Sequence, residues 1–519
     1  MLFATAEFRK LVCSGQLPAE KVGKKQTPLC STAYKYMFNA CRIPRRPQDS
    51  YRIYDPSRHS HCIVARKGHF FAMDFLDPVT GDPLPTSALE ARIQKCLDLA
   101  DAIPSSRPKL GILTSNHRDH WADAREELLR IGGEGMREAL ELLESGAIVL
   151  NLDDEAPVSR QECGEIFWTG GLKSGENRWF DKSIQIMVQN NGRSAVLGEH
   201  SMMDGMPLVN FANYITHVSY EDAKKRSGTN KQVGGRVIDI FGSVVETIDR
   251  PSLEKLGDKG WYILCCFVSD FTTPLKLTAA FAAWDAFYDL VTRQSNHAQS
   301  FQGYGSTFIK GAGFSPDAFV QIALQLATYR LFGEQVGTYE ATQVRPFLHG
   351  RTETTRSVST ASEAFVKKMG LHPKMDEHHP EIRKQKIELL KAAADAHVEY
   401  TRLAAQAQGV DRHFFGLSML VDEGEAKPDL YADPVFNRSK RWRLSTSHLT
   451  HPKFKNWGFG QVDPDGVGVA YAILPRSCVF NITALHETGY SDKLSDLLEE
   501  SLLEMQKLVE LEWPPDSKL

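Results

Sequence analysis

An α/β fold in two domains is what the sequence predicts, and three observations predict it. Stretches with strand-like alternation and stretches with helical spacing of apolar residues follow one another along the chain, which implies helices layered on sheet. No repeat of fixed period and no low-complexity tract interrupts them, which sets aside solenoids and propellers. The 519 residues exceed the size at which one hydrophobic core usually stops growing, so a second core is expected.

The elements follow in chain order. Ile184, Ile186 and Val188 alternate with polar partners, and Asn191-Gly192 offers a tight hairpin turn before Ala195 and Leu197 return. His200 therefore falls at a strand's end. Apolar residues at helical spacing follow from about 207 to 218, so His200 sits in a strand-to-helix connection, where side chains commonly line clefts. An apolar strand-like run, 261–268, gives way to a polar turn at 269–274, the predicted domain boundary. The first domain is then 1–270 and the second 271–519.

Ser315, Pro316 and Asp317 open a helix with a capping side chain, a proline at the first position and a carboxylate near the positive end of the dipole. Phe319, Ile322, Ala323 and Leu326 form one face, and Gly333 closes the helix. The stretch before it, 303–314, reads as a loop that points backbone amides and Lys310 at whatever lies beyond the helix start, an arrangement that suits an anion. An ordinary capped helix has the same pattern. Later helices are predicted over 380–408, with Ile387, Leu390, Ala394 and Val398 inward, and over 491–512. Between them, 467–474 and 478–482 read as a strand pair around Pro475-Arg476-Ser477.

Composition narrows the function classes. With 42% hydrophobic, 24% charged and 10% aromatic residues the chain is an ordinary globular one. A formal net charge of -4 supplies no global positive field, which argues against a nucleic-acid binder and makes any anion site local. Nine cysteines without a CxxC pair, two of them adjacent at Cys265 and Cys266, read as buried reduced thiols. No apolar run is long enough to span a bilayer, and the first 25 residues lack a signal-peptide plan. The C-terminal Ser517-Lys518-Leu519 is the tripeptide read by the peroxisomal import receptor, and Pro514-Pro515 leaves it free to be grasped.

Several catalytic signatures are missing: no GxSxG elbow, no phosphate loop ending in Gly-Lys-Ser/Thr, no full GxGxxG and no HExxH. His378-His379 beside Asp376 and Glu377 invite a metal reading, but adjacent histidines in a charged, proline-flanked stretch are usually solvated surface, and no metal is expected. What remains is Gly198-Glu199-His200-Ser201-Met202-Met203-Asp204-Gly205. An imidazole can accept a proton from a hydroxyl near neutral pH, and a carboxylate close by can fix its orientation. HxxxDG also marks other acyltransferases that work on thioesters, and a lone histidine among the 17 here is more often structural.

Further segments run in order along the chain. They are Leu113-Thr114-Ser115-Asn116-His117-Arg118 with Trp121, Asn177-Arg178-Trp179-Phe180-Asp181-Lys182, the His200 segment, and SPDAFVQIALQLATYR from Ser315. Then come Thr338-Tyr339-Glu340-Ala341-Thr342, Gly350-Arg351-Thr352-Glu353-Thr354, Asp411-Arg412-His413, Leu444-Ser445-Thr446-Ser447 and Trp457-Gly458-Phe459-Gly460 before Pro464-Asp465-Gly466. Together they resemble the carnitine/choline acyltransferase family, most of all its carnitine acetyltransferases of fungal type, from about residue 34 to about residue 482. That family normally carries a further segment of helices upstream, and the start here looks shortened by comparison.

The resemblance implies two coenzyme-A-dependent acyltransferase domains of similar topology meeting at a central active-site tunnel, with His200 as general base on carnitine's hydroxyl. It implies Ser447 as oxyanion donor and Asp204 as support for the histidine segment. Tyr339, Thr352 and Arg412 would bind the carnitine carboxylate, with Phe459 near the quaternary ammonium and bulky Trp457 excluding long acyl groups. Thr352 and Arg412 favour carnitine over choline. Lys310, Ser315, Asp317, Glu340 and His448 would meet coenzyme A, the co-substrate; Ser306 stands where the family has a lysine and His448 where it has a glutamine. The implied activity is a reversible carnitine O-acetyltransferase; the C-terminal tripeptide gives it a peroxisomal address, to which an alternative start could add a mitochondrial one, and a monomer is the default expectation. Alternatives are a medium-chain carnitine acyltransferase, or a shortened paralogue that binds coenzyme A without turnover.

Overall fold

The computed structural model describes residues 1–104, 107–226, 235–247, 280–373, 379–422 and 424–510. The predicted boundary at 269–274, Cys265, Cys266, Asp376, Glu377, His378 and the C-terminal tripeptide lie outside these residues. The chain divides into two compact units, Met1–Val291 and Thr292–Leu519. No helix among the described residues is long and apolar enough to cross a membrane.

Unit one is built on a six-stranded mixed sheet of β1 (His61–Arg66), β2 (His69–Asp74), β3 (Val149–Leu152), β4 (Ile184–Val188), β5 (Ser194–Gly198) and β6 (Val237–Asp239), in the order β6-β2-β1-β3-β4-β5. Alternation decides which side chains go where. Cys62 and Val64 of β1 join Phe71 and Met73 of β2 in one apolar cluster, while Ile63, Ala65, Phe70 and Ala72 join another. Helix α1 (Thr86–Ala102) sends Leu89, Cys96 and Ala100 into the first cluster, and α2 (Arg118–Ser145) sends Trp121, Leu128, Leu140 and Leu143 into the second. Both faces of the sheet are thus buried, as its central parallel strands require.

The hairpin between β4 and β5 closes with the Gln189 N–H donating to the Arg193 carbonyl, and a turn through Asn190 and Asn191 returns at Gly192. Its φ of 77° is left-handed, which is why glycine stands there. Two residues after β5 comes His200, and α3 (Gly205–His217) follows.

Unit two has a second six-stranded mixed sheet: β7 (Gln294–Phe301), β8 (Thr338–Gln343), β9 (Thr352–Thr355), β10 (Leu444–His448), β11 (Val467–Ile473) and β12 (Cys478–Leu485), in the order β7-β12-β11-β10-β8-β9. Read across either sheet, the pairings run antiparallel, antiparallel, parallel, parallel, antiparallel. The two units therefore repeat one architecture, although the chain threads the strands in a different sequence.

One core fills unit two. Helix α5 (Pro316–Phe332) packs along α8 (Tyr490–Glu510), which also lies directly against β7 and β12, and Leu494, Leu498, Leu502 and Met505 of α8 repeat every three or four residues toward this core. The predicted opening of α5 is present, with the Ser315 hydroxyl accepting from the Ala318 N–H, and Gly333 closes it. Residues 303–314 are not all loop: Ser306–Gly311 forms a short helix, α4. Its start is pressed onto the β11–β12 turn, where the Ser306 N–H donates to the Leu474 carbonyl, and a Cβ on Gly305 would sit 2.2 Å from that oxygen. Helix α6 (Pro380–Ala405) buries Ile387, Leu390 and Ala394 as predicted, but His397 turns inward while Val398 is 45% exposed. A stripe advancing by three or four residues a turn admits either 397 or 398 after 394, and the hydrogen bond between His397 and Glu340 draws in the former.

Candidate functional site

In unit one, His200 projects from the connection between β5 and α3, and its side chain is 76% exposed. Its Nδ1 lies 3.0 Å from the Met203 carbonyl oxygen. A carbonyl only accepts, so in the neutral ring the proton belongs on Nδ1 and the lone pair on Nε2. Asp204, at the start of α3, has its carboxylate 3.8 Å from the same Nδ1, ion-pair range rather than hydrogen-bond range. The main-chain carbonyl, not the carboxylate, orients the ring.

Glu199 fixes this connection, a role its sequence gave no signal for. Its carboxylate accepts from the Ser201 hydroxyl at 2.6 Å and backbone N–H at 3.1 Å, and pairs with Arg42 at 3.2 Å. Arg42 in turn holds Asp49, which binds Arg118.

The segments at 113–121 and 177–182 turn out to be neighbours. Arg118 and the Trp121 indole both donate to Asp181, at 2.7 and 2.6 Å, and Arg178 pairs with Asp153 at full burial. Burial pushes the Asp181 carboxyl up to about 6 and the Lys182 ammonium down to about 8. These groups hold the base of β4 rather than reaching solvent.

In unit two, three predicted side chains converge. Arg412, in α7 (Asp411–Met419), donates through Nη2 to the Tyr339 hydroxyl at 3.3 Å and the Thr352 hydroxyl at 3.4 Å, and through Nε to the Thr352 carbonyl at 3.0 Å. Strand register explains the meeting. Thr352 pairs with Gln343, which lies on the same face of β8 as Tyr339, and Tyr339 pairs with Ser445 of β10, so Ser447 shares that face. Helix α7 is anchored by a two-pronged pair between Arg356 and Asp411, at 2.7 and 2.8 Å. The arrangement is a cation and two hydroxyls aimed at one point, which suits a carboxylate. Ser447 is half-buried, and its hydroxyl has no protein hydrogen-bond partner among the described residues.

The opposite face of the same strands carries Glu340, Thr446 and His448, with Tyr471 of β11 beside His448. The Tyr471 hydroxyl donates to Asp317 at 2.7 Å, and His448 Nδ1 lies 3.1 Å from that carboxylate. Burial would raise the Asp317 carboxyl, but the hydrogen bonds and charge of His448 with the Tyr471 bond hold it at about 2. Gln321 of α5 donates both to the Tyr471 hydroxyl and to Thr446, whose own hydroxyl donates to the Tyr339 carbonyl. Glu340 is 3% exposed, accepting from His397 at 2.6 Å and from Ser357 at 2.9 Å. Asp317, Glu340 and His397 have polar atoms within 4.8 Å of one another; the imidazole nitrogen nearest the carboxylates is already engaged in that hydrogen bond. Lys310 is exposed in the last turn of α4, Ser315 exposed at the cap of α5, and Ser306 half-buried at the start of α4.

Trp457 and Phe459 lie with ring centroids 6.0 Å apart, and the Trp457 indole donates to the Tyr471 carbonyl at 3.3 Å. Unit two thus groups Tyr339, Thr352 and Arg412; Asp317 and His448, with Glu340 behind them; and Trp457 with Phe459. Residues that sequence reasoning gave no role are Tyr471, Gln321 and His397. Each is polar and buried, a placement that only the fold reveals.

A model of the choline/carnitine O-acyltransferase family matches residues 1–500, wider than the 34–482 stretch that carries the motifs. The chain is 33% identical over 484 residues to the mitochondrial carnitine O-acetyltransferase of Saccharomyces cerevisiae, covering 91% of this chain and 66% of that one. Against the carnitine O-acetyltransferase of Mus musculus it is 29% identical over 516 residues, covering 97% and 75%. It is also 33% identical over 453 residues to the mitochondrial carnitine O-palmitoyltransferase 2 of Mus musculus, covering 86% and 62%. Among solved structures, a trichothecene 15-O-acetyltransferase from Fusarium sporotrichioides aligns over 68% of this chain and 76% of its own, at 13% identity and a TM-score of 0.37.

Proposed function

The chain belongs to the choline/carnitine O-acyltransferase family, and from that premise we propose that it moves a short acyl group, acetyl first, between coenzyme A and the hydroxyl of L-carnitine. His200 Nε2 takes the proton from that hydroxyl as its oxygen attacks the thioester carbonyl. The C–S bond then breaks, and the imidazolium returns the proton to the departing thiolate. Proton and electron pair balance without an acyl-enzyme. Ser447 donates to the oxyanion that forms in between. Asp204 supports the connection that carries the base.

Tyr339, Thr352 and Arg412 hold the carnitine carboxylate and Phe459 stands near its quaternary ammonium. Their convergence is the observation that carries the reading. Choline lacks the carboxylate that this cation and two hydroxyls would meet. Lys310, Ser315, Asp317 and His448 form the coenzyme side of unit two, with Glu340 bracing it from within.

Replacing Arg412 by alanine tests the assignment. The carnitine KM should rise about 10- to 100-fold, the size expected when a charge-assisted hydrogen bond to an ion is lost, with acetyl-CoA KM little changed. An unaltered carnitine KM removes the carboxylate assignment.

The palmitoyl relative, as similar as the acetyl one, favours a second reading with longer acyl groups, medium-chain ones included. Against it stands the bulk of Trp457, pinned through its indole to Tyr471. A profile across donor length separates the two: acetyl- and propionyl-CoA should lead and octanoyl- and palmitoyl-CoA should fail.

A further inference from the structure

The strand that presents Ser447 ends on His448, whose imidazole is held on three sides. Nδ1 is 3.1 Å from the Asp317 carboxylate of α5, Nε2 is 2.8 Å from the Thr450 hydroxyl, and the ring stacks on Tyr471 of β11 at 5.0 Å and 6°. The Thr450 oxygen also accepts from the Ile473 N–H at 2.9 Å. Both protonation states fit this cradle. A neutral ring donates from Nδ1 to Asp317 and accepts the Thr450 proton at Nε2; a charged ring donates from both nitrogens. Titration therefore leaves the geometry in place and changes the charge.

The Tyr471 hydroxyl donates to the Asp317 carboxylate whichever form His448 takes, and the usual carboxylate range lies below the pH at which histidines titrate. The pair is consequently neutral when His448 is protonated and carries one negative charge when it is not. The groups around it do not cancel that charge. Tyr471 faces Asp317 with a hydroxyl, Thr450 is uncharged, and behind Asp317 the Glu340 carboxylate of β8 is matched by His397 of α6. Among the described residues His448 is the one basic side chain within ion-pair range of Asp317.

We infer that His448 sets the affinity of this face for the phosphorylated acyl donor: protonated, it cancels Asp317 and favours the polyanion, and deprotonated, it leaves a carboxylate that repels it. The inference rests on the coenzyme reading of unit two. A glutamine could make the same hydrogen bond to Asp317 but could never change its charge.

The test is the acetyl-CoA KM of the unaltered chain and of H448Q from about pH 5 to 8, where histidines titrate. The donor's own phosphate also titrates there, so the readout is the ratio between the two proteins. At the acid end the unaltered chain should have the lower KM, by about three- to tenfold, the effect of one partly screened charge. At the alkaline end the ratio should approach one. The carnitine KM of the two proteins should show no such drift. A ratio independent of pH overturns the inference. H448N, with the same uncharged amide, serves if H448Q does not fold. Should the unaltered chain fold yet not turn over acetyl-CoA with carnitine, it is the proposed function that fails; calorimetric titration with coenzyme A then reads the same ratio as dissociation constants.

Discussion

Replacing His200 by alanine is expected to slow carnitine-dependent release of thiol from acetyl-CoA by about 10²- to 10⁴-fold, the range that positioned general bases contribute. The expectation follows from the ring's setting. Its Nδ1 is committed to the Met203 carbonyl, which leaves the lone pair on Nε2, the atom that must take the proton. The side chain is largely exposed and forms no part of the core, so the variant should fold with unchanged thermal stability. The loss should appear in kcat rather than in the KM of either substrate, because a proton in flight stabilises the transition state and not the bound ground state. Asp204 is a smaller lever. Its asparagine variant should retain most activity, since the carboxylate stands 3.8 Å from Nδ1 and the carbonyl already fixes the tautomer.

The second large effect is expected at Ser447. Removing its hydroxyl should lower kcat by about 10²- to 10³-fold, the cost of losing one oxyanion donor, with little change in either KM. Its neighbours make the contrast sharp. Thr446, one residue earlier, spends its hydroxyl inside the fold, donating to the Tyr339 carbonyl and accepting from Gln321. Ser447 makes no such bond among the described residues and lies on the face of the sheet that carries Tyr339 and Thr352. Loss of Thr446 should therefore reduce stability, and loss of Ser447 should reduce turnover. Equal kcat in S447A and the unaltered chain would withdraw the oxyanion role.

Local signals were read well from the sequence because their causes are local. The β4–β5 hairpin follows from two-residue alternation and a glycine at the turn, and α5 follows from Ser315, Pro316 and Asp317 at its start and Gly333 at its end. Turn-to-turn ambiguity limits the same reasoning. Periodicity placed Val398 inward where His397 goes, and a stretch with four glycines concealed the short helix at Ser306–Gly311.

Long-range pairings were not legible at all. Asp317 meets Tyr471 across 154 positions and Arg42 meets Glu199 across 157. No spacing rule connects residues so far apart, and the identity of Asp317 as a helix-opening carboxylate gives no hint that His448 would lie 3.1 Å from it. The convergence of Tyr339, Thr352 and Arg412 came into view through resemblance first and strand register second. Similarly, the 113–121 and 177–182 segments read as motifs in the sequence, and only the fold makes them one buried cluster around Asp181.

Acyl transfer to carnitine is measured most directly as thiol release from acetyl-CoA by the purified chain with and without L-carnitine. Release is expected to depend on L-carnitine, to find no support from choline, and to fall by about 10²- to 10⁴-fold in His200→Ala. A chain that is folded and binds coenzyme A, yet releases no thiol when carnitine is added, would contradict acyl transfer and favour a binding protein without turnover.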